Sequence, residues 1–344
     1  MRPIIGISMG DPAGVGPEIA VKALLNEKLY KEAIPVIVGD LLPIEDAIQI
    51  CGLDLRIHLI SSIDEAEGHY GTIDLLDLAR LDRTSWKYGE VSSAAGNAAY
   101  CYITEAIDLA MKGQIDAVVT GPINKESLNI SGHHFSGHTE IFAKFTNTTD
   151  YAMLLTTPNL SVIHVTTHCS IRNACDKITE KRVYTVINLA QQALLDLGIA
   201  SPRIGVAGLN PHSSENGLFG DEEEKIIVPA IRRSREAGIQ VDGPIPPDTA
   251  FVKALAGQYD IIVAMYHDQG HIPIKLLGFR ADANNQFSSV QGVNITVGLP
   301  IIRTSVDHGT AFDKAGQGTA NEGSMVDACF AAALLARNKK LRNK

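Results

Sequence analysis

Short apolar runs rich in Ile and Val alternate with longer amphipathic segments along the chain, and this alternation restricts the possible folds more than any other feature. Five amphipathic segments predict helices, at 17–26, 94–112, 181–197, 221–237 and 321–337. Strands that alternate with helices predict an α/β fold whose mostly parallel sheets are covered by helices. The strand-like runs are "RPIIGIS", "IPVIVGD", "LRIHLI", "IDAVVTGP", "YAMLLTT", "LSVIHVTTH", "RIGVAGLNP", "YDIIVAMYHD" and "VNITVGLP".

Length and charge exclude several classes of partner. The chain has 344 residues, enough for two domains, and its net charge of −9 argues against binding to nucleic acid or to an anionic membrane surface. No apolar run approaches the roughly 20 residues of a membrane helix, and we expect no signal peptide. An anionic ligand therefore requires locally placed Lys or Arg.

The cysteines indicate a reducing compartment. They are odd in number, scattered, and form no Cys-x-x-Cys pair. We therefore expect a cytoplasmic protein in which most of them are small core residues. The five are Cys51, Cys101, Cys169, Cys175 and Cys329.

Three predicted strands end in a histidine, namely His168, His212 and His267. In parallel sheets ligands bind beyond the carboxyl ends of the strands, so the three positions are topologically equivalent. Neutral imidazoles suit Zn²⁺ and other divalent first-row metals, and three protein ligands leave a position open for water or substrate. The pattern predicts a catalytic metal site.

Three further residues lie near these histidines in the sequence. Asp268 is a candidate acid/base or an acceptor that orients its neighbour. His271 is an alternative third ligand. His164 precedes His168 by four residues and faces the same side of its strand, where we expect a core role.

Glycine-rich segments lie near both ends of the chain. The N-terminal "GDPAGVGPEI" lacks the P-loop and dinucleotide fingerprints, so a tight strand-to-helix turn is its simplest interpretation. The C-terminal "RTSVDHGTAFDKAGQGTANEGSM" bends at several glycines before a predicted helix. Such a loop can offer backbone N–H groups to phosphates, although a surface Ω-loop has the same composition.

These segments together resemble the 4-hydroxythreonine-4-phosphate dehydrogenase family, within the isocitrate/isopropylmalate dehydrogenase superfold, over nearly the whole chain. The central segments that resemble it are "TGPINKESL", "FSGHTE", "VTTH", "PPDTAF" and "GVNITVGLPIIRTSVDHGTAFD". Two others, "NGLFGDEE" and "HDQGHIPIKLLGF", are most similar to the family's D-threonate 4-phosphate dehydrogenase branch. One departure is the polar insertion at 281–291, for which the composition predicts a mobile loop.

The resemblance implies a homodimer whose metal is shared between subunits, with His168 and His212 completed by the partner subunit's His267. Zn²⁺ is the expected metal, with Mg²⁺, Co²⁺ or Mn²⁺ as alternatives. It also implies a terminal domain (1–127 plus 296–344), a central domain (128–295) and an active site in the cleft between them.

The resemblance assigns the remaining site residues as well. NAD is expected rather than NADP, because only Lys314 supplies a cation within the C-terminal loop. The catalytic candidates are Lys275, Asp268 and Asp248. The implied substrate contacts are His138, Thr139, Lys275, Asn294 and Arg303, and the implied cofactor contacts are His308, Gly309, Thr310, Asp313, Gly316, Gly318 and Asn321.

The expected reaction is metal- and NAD-dependent oxidation of the C3 hydroxyl of a 4-phosphorylated four-carbon hydroxy acid, followed by decarboxylation. The D-threonate branch would convert 4-phospho-D-threonate to dihydroxyacetone phosphate and CO₂. The alternative substrate is 4-phosphohydroxy-L-threonine, an intermediate of pyridoxine phosphate biosynthesis. More distant alternatives are a zinc hydrolase, which leaves the glycine-rich C-terminal loop unexplained, and a non-catalytic metabolite sensor.

Overall fold

The computed structural model describes residues 2–281, 287–290 and 292–342, and it divides into two compact units. Unit 1 comprises Met1–Thr149 and Leu299–Lys344, and unit 2 comprises Asp150–Gly298. Unit 1 is therefore formed by two chain segments, and the segment between them forms unit 2. Each unit contains parallel strands flanked by helices, so the expected α/β class is confirmed.

The elements follow one another as the alternating pattern predicts. Unit 1 begins with β1 (Ile4–Ser8), α1 (Gly16–Ala23), α2 (Glu27–Glu32), β2 (Ile34–Gly39), α3 (Leu41–Ile50), β3 (Arg56–Ile60), β4 (Thr72–Asp77), α4 (Ser93–Met111), β5 (Ala117–Thr120), α5 (Lys125–Ile130) and α6 (His138–Phe145). Unit 2 contains β6 (Ala152–Thr156), β7 (Ser161–His164), α7 (Ile171–Lys177), α8 (Glu180–Asp196), β8 (Ile204–Ala207), α9 (Val228–Glu236), β9 (Val241–Ile245), α10 (Pro247–Leu255), β10 (Ile261–Ala264), α11 (His267–Gly278), β11 (Phe279–Ala281), β12 (Phe287–Val290) and β13 (Val293–Val297). The chain completes unit 1 with β14 (Ile302–Val306) and α12 (Gly323–Arg342).

The strands of unit 1 run in the order β3-β4-β2-β1-β5-β14, and each neighbouring pair is parallel. All four residues of β5 are buried, as a strand covered on both faces requires. Helix α4 packs closely because its contact face is built from small residues. A Cβ on Gly96 would collide with the backbone of Ser127 in α5.

The strands of unit 2 run in the order β13-β6-β7-β10-β8-β9. β7, β10, β8 and β9 are parallel, whereas β6 is antiparallel to both β13 and β7. The parallel strands β7 and β10 are neighbours, so their carboxyl ends lie side by side.

The first domain boundary differs from the sequence expectation. The structure assigns residues 128–149 to unit 1, whereas the sequence resemblance implies that they belong to the central domain. The reason is packing: Ile141 and Phe142 of α6 are fully buried in a cluster with Ile103 and Val118 of unit 1. The second boundary falls at 298/299 rather than 295/296.

The insertion at 281–291 is not wholly a loop. β11 and β12 pair as an antiparallel hairpin, with Phe279 opposite Val290. Residues 282–286 and 291 lie outside the described part of the chain. Within the residues that the structure describes, no helix is long and apolar enough to cross a membrane.

Candidate active site

Two neighbouring parallel strands of unit 2 place four histidines together. β7 and β10 pair with His164 opposite Ala264 at their carboxyl ends. The chain beyond β7 carries His168, and the chain beyond β10 enters α11 at His267. His271 follows one turn later on the same helix. We refer to His164, His168, His267 and His271 as the histidine cluster.

Ring distances define this cluster. The imidazoles of His267 and His271 stack with their centroids 3.6 Å apart and an interplanar angle of 11°. His271 also lies 4.7 Å from His164, and His168 lies 5.6 Å from His267. The stack follows from helix geometry, because residues four apart lie on one face.

Hydrogen bonds determine which nitrogen keeps a lone pair. Nδ1 of His267 lies 2.7 Å from Oδ1 of Asp268, and since a carboxylate only accepts, we assign the proton to Nδ1. By the same reasoning His271 donates from Nδ1 to the carbonyl of His267 at 3.0 Å, and His164 donates from Nδ1 to the carbonyl of Met153 at 3.3 Å. Each assignment leaves Nε2 available as an acceptor or metal ligand.

The surroundings keep the imidazoles of His164 and His271 neutral. Burial, and after it the neighbouring His271, lowers the pKa of His164 to about 3. Burial and the nearby His267 lower the pKa of His271 to about 4. Nε2 of His164 is inaccessible to solvent and has no hydrogen-bond partner among the described residues. Neutral imidazole is the form that binds divalent metals.

The third predicted ligand, His212, lies in a different loop. It follows β8 in the short turn Pro211–Glu215 and has a φ of 54°. Positive φ continues through Asn216, at 58°, so the turn is left-handed. L-residues rarely adopt this conformation, and it occurs where the surrounding structure imposes it. The ring of His212 lies 6.3 Å from that of Phe219.

A buried carboxylate holds the approach to this turn. Oε1 of Glu223 accepts from the backbone amides of Leu209 and Asn210 at 2.8 and 2.7 Å, and Oε2 accepts from the side-chain amide of Asn210 at 2.9 Å. Gln269 of α11 donates to the carbonyl of Gly208 at 2.8 Å, which ties the end of β8 to the helix that carries His267. These contacts fix where the His212 turn begins.

Among the described residues, no group of three or more His, Cys, Asp or Glu side chains is arranged to hold a metal ion. The rings of His168 and His267 are neighbours, with centroids 5.6 Å apart. The donors nevertheless fit a divalent metal chemically, because Nδ1 of His267 is engaged by Asp268 and its Nε2 remains free to ligate.

Unit 1 contains a second polar site, which we call the anion pocket: Thr120, His138, Glu140 and Arg303. Arg303 of β14 is only 3% exposed, and its Nη2 donates to Oγ1 of Thr120 at the end of β5, at 2.8 Å. Burial lowers the pKa of Arg303 to about 9, opposed by the Glu140 carboxylate. The guanidinium therefore supplies the local cation that an acidic protein needs to bind an anion.

His138 lies beside this cation as a neutral ring. Burial lowers its pKa well below the usual value, and the charges of Arg303 and Lys125 add to the effect. Its Nε2 and Oε2 of Glu140 are inaccessible and have no hydrogen-bond partners among the described residues. Helix α6 begins at His138 and has no side-chain cap. The cation of Arg303, the unpaired ring nitrogen of His138 and an uncapped helix start fit a phosphate or carboxylate group, whereas the Glu140 carboxylate opposes one.

Residues 307–321 of unit 1 form the predicted cofactor loop, here called the glycine loop. It has left-handed φ values at Gly316 (78°) and Gly318 (69°), and also at Ala311 (43°). Asn321 ends the loop by accepting from the amide of Gly323 at 2.9 Å, at the start of α12. The repeated bends expected from the sequence are present.

The N-terminal glycine segment forms a platform for this loop. The amide of Val15 donates to the carbonyl of Thr310 at 3.0 Å. A Cβ on Gly14 would lie 2.9 Å from Thr310, so only glycine permits this approach. "GDPAGVG" is thus a strand-to-helix turn, as its simplest interpretation held, and it also supports the glycine loop.

Comparison with known proteins identifies the family. Residues 31–332 match the family model described as pyridoxal phosphate biosynthetic protein PdxA. The chain belongs to this family. D-threonate 4-phosphate dehydrogenase from Cupriavidus necator is 47% identical over 338 residues, covering 98% of each chain. A relative from Oceanobacillus iheyensis is 51% identical over 340 residues, covering 98% of this chain and 99% of its own.

Solved structures agree with this assignment. The crystal structure of 4-hydroxythreonine-4-phosphate dehydrogenase from Klebsiella pneumoniae has a TM-score of 0.85 and 45% identity, covering 97% of this chain and 100% of its own. The resemblance stated from the sequence is therefore confirmed, and the PdxA-family chain is an oxidoreductase acting on CH–OH groups. This result favours the dehydrogenase over the hydrolase and the sensor.

The structure corrects several details of the histidine prediction. His168, His212 and His267 do not end strands but lie three to five residues beyond them, and His267 begins helix α11. His164 is fully buried, which confirms the expected core position, and its ring also lies 4.7 Å from that of His271. Its position four residues before His168, on the same side of the strand, was the sequence signal that could have placed it near the other histidines.

The other predicted residues are distributed between both units. Lys275 lies on α11, eight residues after His267, on the same face. Oδ1 of Asn294 in β13 is inaccessible and has no partner among the described residues. Asp248 is exposed in the first turn of α10, and no described contact joins it to the histidine cluster. Thr139 follows His138 in α6.

Proposed function

We propose that this PdxA-family chain oxidises the C3 hydroxyl of 4-phospho-D-threonate with NAD and a divalent metal, and that decarboxylation of the product gives dihydroxyacetone phosphate. The observation that carries the proposal is the buried Arg303 beside a neutral His138, a site suited to a small anion in a chain of net charge −9. The named activity of the 47% identical relative supports the choice of D-threonate.

The reaction balances without another reactant. Hydride leaves C3 for NAD and the hydroxyl proton leaves for a base, which gives a 3-keto acid. The C1–C2 bond then breaks, CO₂ departs, and C2 takes a proton. A divalent metal at the histidine site would lower the pKa of the hydroxyl and stabilise negative charge on oxygen.

The chain's own residues supply binding, orientation and proton transfer. Arg303 and His138 hold the phosphate or the carboxylate, and Thr120 fixes the direction of the guanidinium. Asp268 orients His267 through Nδ1, so it is already engaged. Lys275 lies on the helical face that carries His267 and His271, and we assign it the transfer of the hydroxyl proton. Asn294 is proposed as a further substrate contact.

We also propose a homodimer with a metal site shared between subunits. On α11 the face of His267, His271 and Lys275 adjoins a second face with Ile272 and Leu276, which are 58% and 76% exposed. Exposed apolar side chains beside unsaturated ligands favour coverage by a second copy. A second copy that covers this face could place one of its own histidines beside the cluster.

Subunit complementation tests which ligand crosses the interface. A mixture of His168→Ala and His267→Ala subunits regains activity only if those two ligands of one site come from different chains. A mixture of His168→Ala and His212→Ala subunits tests the other possibility in the same way. If the variant subunits form mixed dimers and neither mixture regains activity, a shared site is refuted.

NAD binding is assigned to the glycine loop. Its backbone bends at Gly316 and Gly318 and its C-terminal end leads into α12. His308 donates from Nδ1 to the carbonyl of Gly309 at 2.9 Å, which orients its ring. We propose that His308, Gly309, Thr310, Asp313, Gly316, Gly318 and Asn321 contact the cofactor.

The decisive assay follows absorbance at 340 nm with NAD, a divalent metal and each of 4-phospho-D-threonate, 4-phospho-D-erythronate and 4-phosphohydroxy-L-threonine. We expect metal-dependent NADH formation that is fastest with 4-phospho-D-threonate, together with release of CO₂. Faster turnover of 4-phosphohydroxy-L-threonine would assign the chain to the pyridoxine branch. Absence of turnover with all three substrates, in protein that binds metal, would refute the proposal.

A further inference from the structure

Two charged side chains of helix α1 form hydrogen bonds with the backbone of the glycine loop. Oε1 of the fully buried Glu18 accepts from the backbone amide of Gly316 at 2.7 Å. Nζ of Lys22 donates to the carbonyls of Gly318 and Ala320 at 2.6 and 2.7 Å. Glu18 and Lys22 are four residues apart, so they lie on one face of the helix. Nearly 300 residues of sequence separate them from the loop.

The two side chains hold the part of the loop that bends most. Gly316 and Gly318 have φ values of 78° and 69°. Because glycine has no Cβ, the backbone at these two positions could adopt many other conformations if no contacts restrained it. The carboxylate fixes an N–H group and the ammonium fixes two carbonyls within five residues. Hydrogen bonds that involve a charged group are stronger than neutral ones, so this arrangement restrains the loop before any ligand arrives.

We propose that Glu18 and Lys22 are positioning residues that hold the 316–320 bend in the conformation that binds the dinucleotide. The inference rests on the proposed role of the glycine loop in NAD binding. It assigns a function to the "GPEIAVK" part of the N-terminal segment, which the reaction itself does not use. Preorganisation of this kind improves affinity by lowering the ordering cost of binding.

The chain carries a natural reporter for this loop. Trp86 is its single tryptophan, and it packs with Ala13 and with Phe312 of the glycine loop. Its ring lies 4.8 Å from that of Tyr88, which in turn lies against Gly316. Tryptophan emission overlaps the absorption of NADH, so energy transfer from Trp86 measures NADH binding without turnover.

The test compares disruptive and conservative substitutions. Glu18→Met and Lys22→Met remove the hydrogen bonds, while Glu18→Gln and Lys22→Arg keep an acceptor and a donor. Glu45→Met and Lys28→Met, at exposed positions on α3 and α2, serve as matched controls. For each protein we would measure the NADH Kd by energy transfer, the KM values for NAD and for the phosphorylated acid, kcat, and the melting temperature.

We expect Glu18→Met and Lys22→Met each to raise the NADH Kd and the NAD KM about tenfold, the size typical of a lost charge-assisted hydrogen bond. The KM for the phosphorylated acid and kcat at saturating NAD should stay within about twofold, since the anion pocket is untouched. Glu18→Gln and Lys22→Arg should recover most of the affinity, and the controls should match the wild type.

The outcomes separate this inference from the proposed function. A wild-type protein that binds no NADH would refute the assignment of NAD to this chain. A wild type that binds NADH, with Glu18→Met and Lys22→Met binding equally well, would refute the positioning role alone. A parallel change of both KM values, with a lowered melting temperature and no recovery in Lys22→Arg, would also refute it, because it would show a general structural role.

Discussion

The two units use histidine in different ways. In unit 1 a single imidazole, His138, stays neutral through burial and because Arg303 lies beside it. In unit 2 the imidazoles of His164 and His271 stay neutral through burial and because neighbouring histidines lower each pKa further. The first site holds a fixed positive charge, and the second offers lone pairs near Asp268.

This difference shows why a lowered histidine pKa does not by itself identify a role. His138 and His164 both have a depressed pKa and an inaccessible Nε2 with no described partner. Their neighbours decide what they can bind: an anion beside Arg303, and a cation among neutral nitrogens. Substitutions in the histidine cluster should therefore reduce metal binding, and substitutions in the anion pocket should reduce binding of the phosphorylated acid.

The largest effect is expected at the histidine cluster. His168→Ala should lower kcat by at least about 10²-fold and reduce bound metal to background, because substitutions even one shell further out cost 10–100-fold in metal sites. Metal content by elemental analysis and NADH formation at 340 nm would be measured together. The exposed His69, paired with Glu67, provides the control His69→Ala. Full metal content in His168→Ala would contradict the assignment.

The anion pocket should respond next, and without loss of metal. Arg303→Lys keeps a positive charge but loses the planar fork, so we expect kcat/KM for the phosphorylated acid to fall about 10²-fold. Metal content should remain at the wild-type level. An unchanged kcat/KM would refute anion binding by Arg303, and a loss of metal would show that the two sites are not separate in function.

His164 should make stability fall in acid. Its pKa is about 3 in the folded chain, against roughly 6.5 when unfolded, so the native state binds fewer protons between these values. Above about pH 6.5 this group has little effect on the free energy of unfolding. Below that pH the free energy of unfolding decreases, by about 2 kcal/mol at pH 5. Urea unfolding at pH 7 and pH 5 in a chelator would measure the difference.

The matched variants are His164→Gln and His69→Gln. The first should reduce the stability difference between pH 7 and pH 5 by about 2 kcal/mol, because the titrating group is gone. The second tests the loss of an exposed imidazole. An equal dependence on pH in His164→Gln and in the wild type would contradict the burial argument.

The smallest effect is expected from Thr120→Val. This change keeps the shape of the side chain but removes the acceptor for Nη2 of Arg303, at a cost of about 1 kcal/mol. The KM for the phosphorylated acid should rise about fivefold with kcat nearly unchanged. Thr104→Val, which removes a hydroxyl bonded within α4, is the control. Equal KM values for both variants would show that Thr120 does not orient the guanidinium.

Hydrophobic periodicity predicted the long elements well. Helices at 94–112 and 181–197 match α4 and α8 within one residue at each end, because their amphipathic repeats are long. Short helices such as α6 and α11 were missed. α11 contains Pro273 and polar residues that interrupt the pattern, so "HDQGHIPIK" had the composition of a loop.

The candidate site was predictable where topology decides it. Strand order brings the ends of β7 and β10 together, so a sequence with histidines after both strands predicts a histidine site. The stacking of His271 on His267 required knowledge of the helix. The grip of Glu18 and Lys22 on the glycine loop could not be predicted, since no local pattern links residues nearly 300 positions apart.

The return of the chain to unit 1 has a consequence for biosynthesis. β14 pairs with β5, yet it is translated only after the whole of unit 2, residues 150–298. At 5–20 residues per second the ribosome needs about 7–30 s for that segment. Unit 2 can fold during this time, while the edge of β5, a strand fully buried in the folded chain, remains unpaired. We expect nascent chains that stall before residue 300 to recruit holdase chaperones to unit 1.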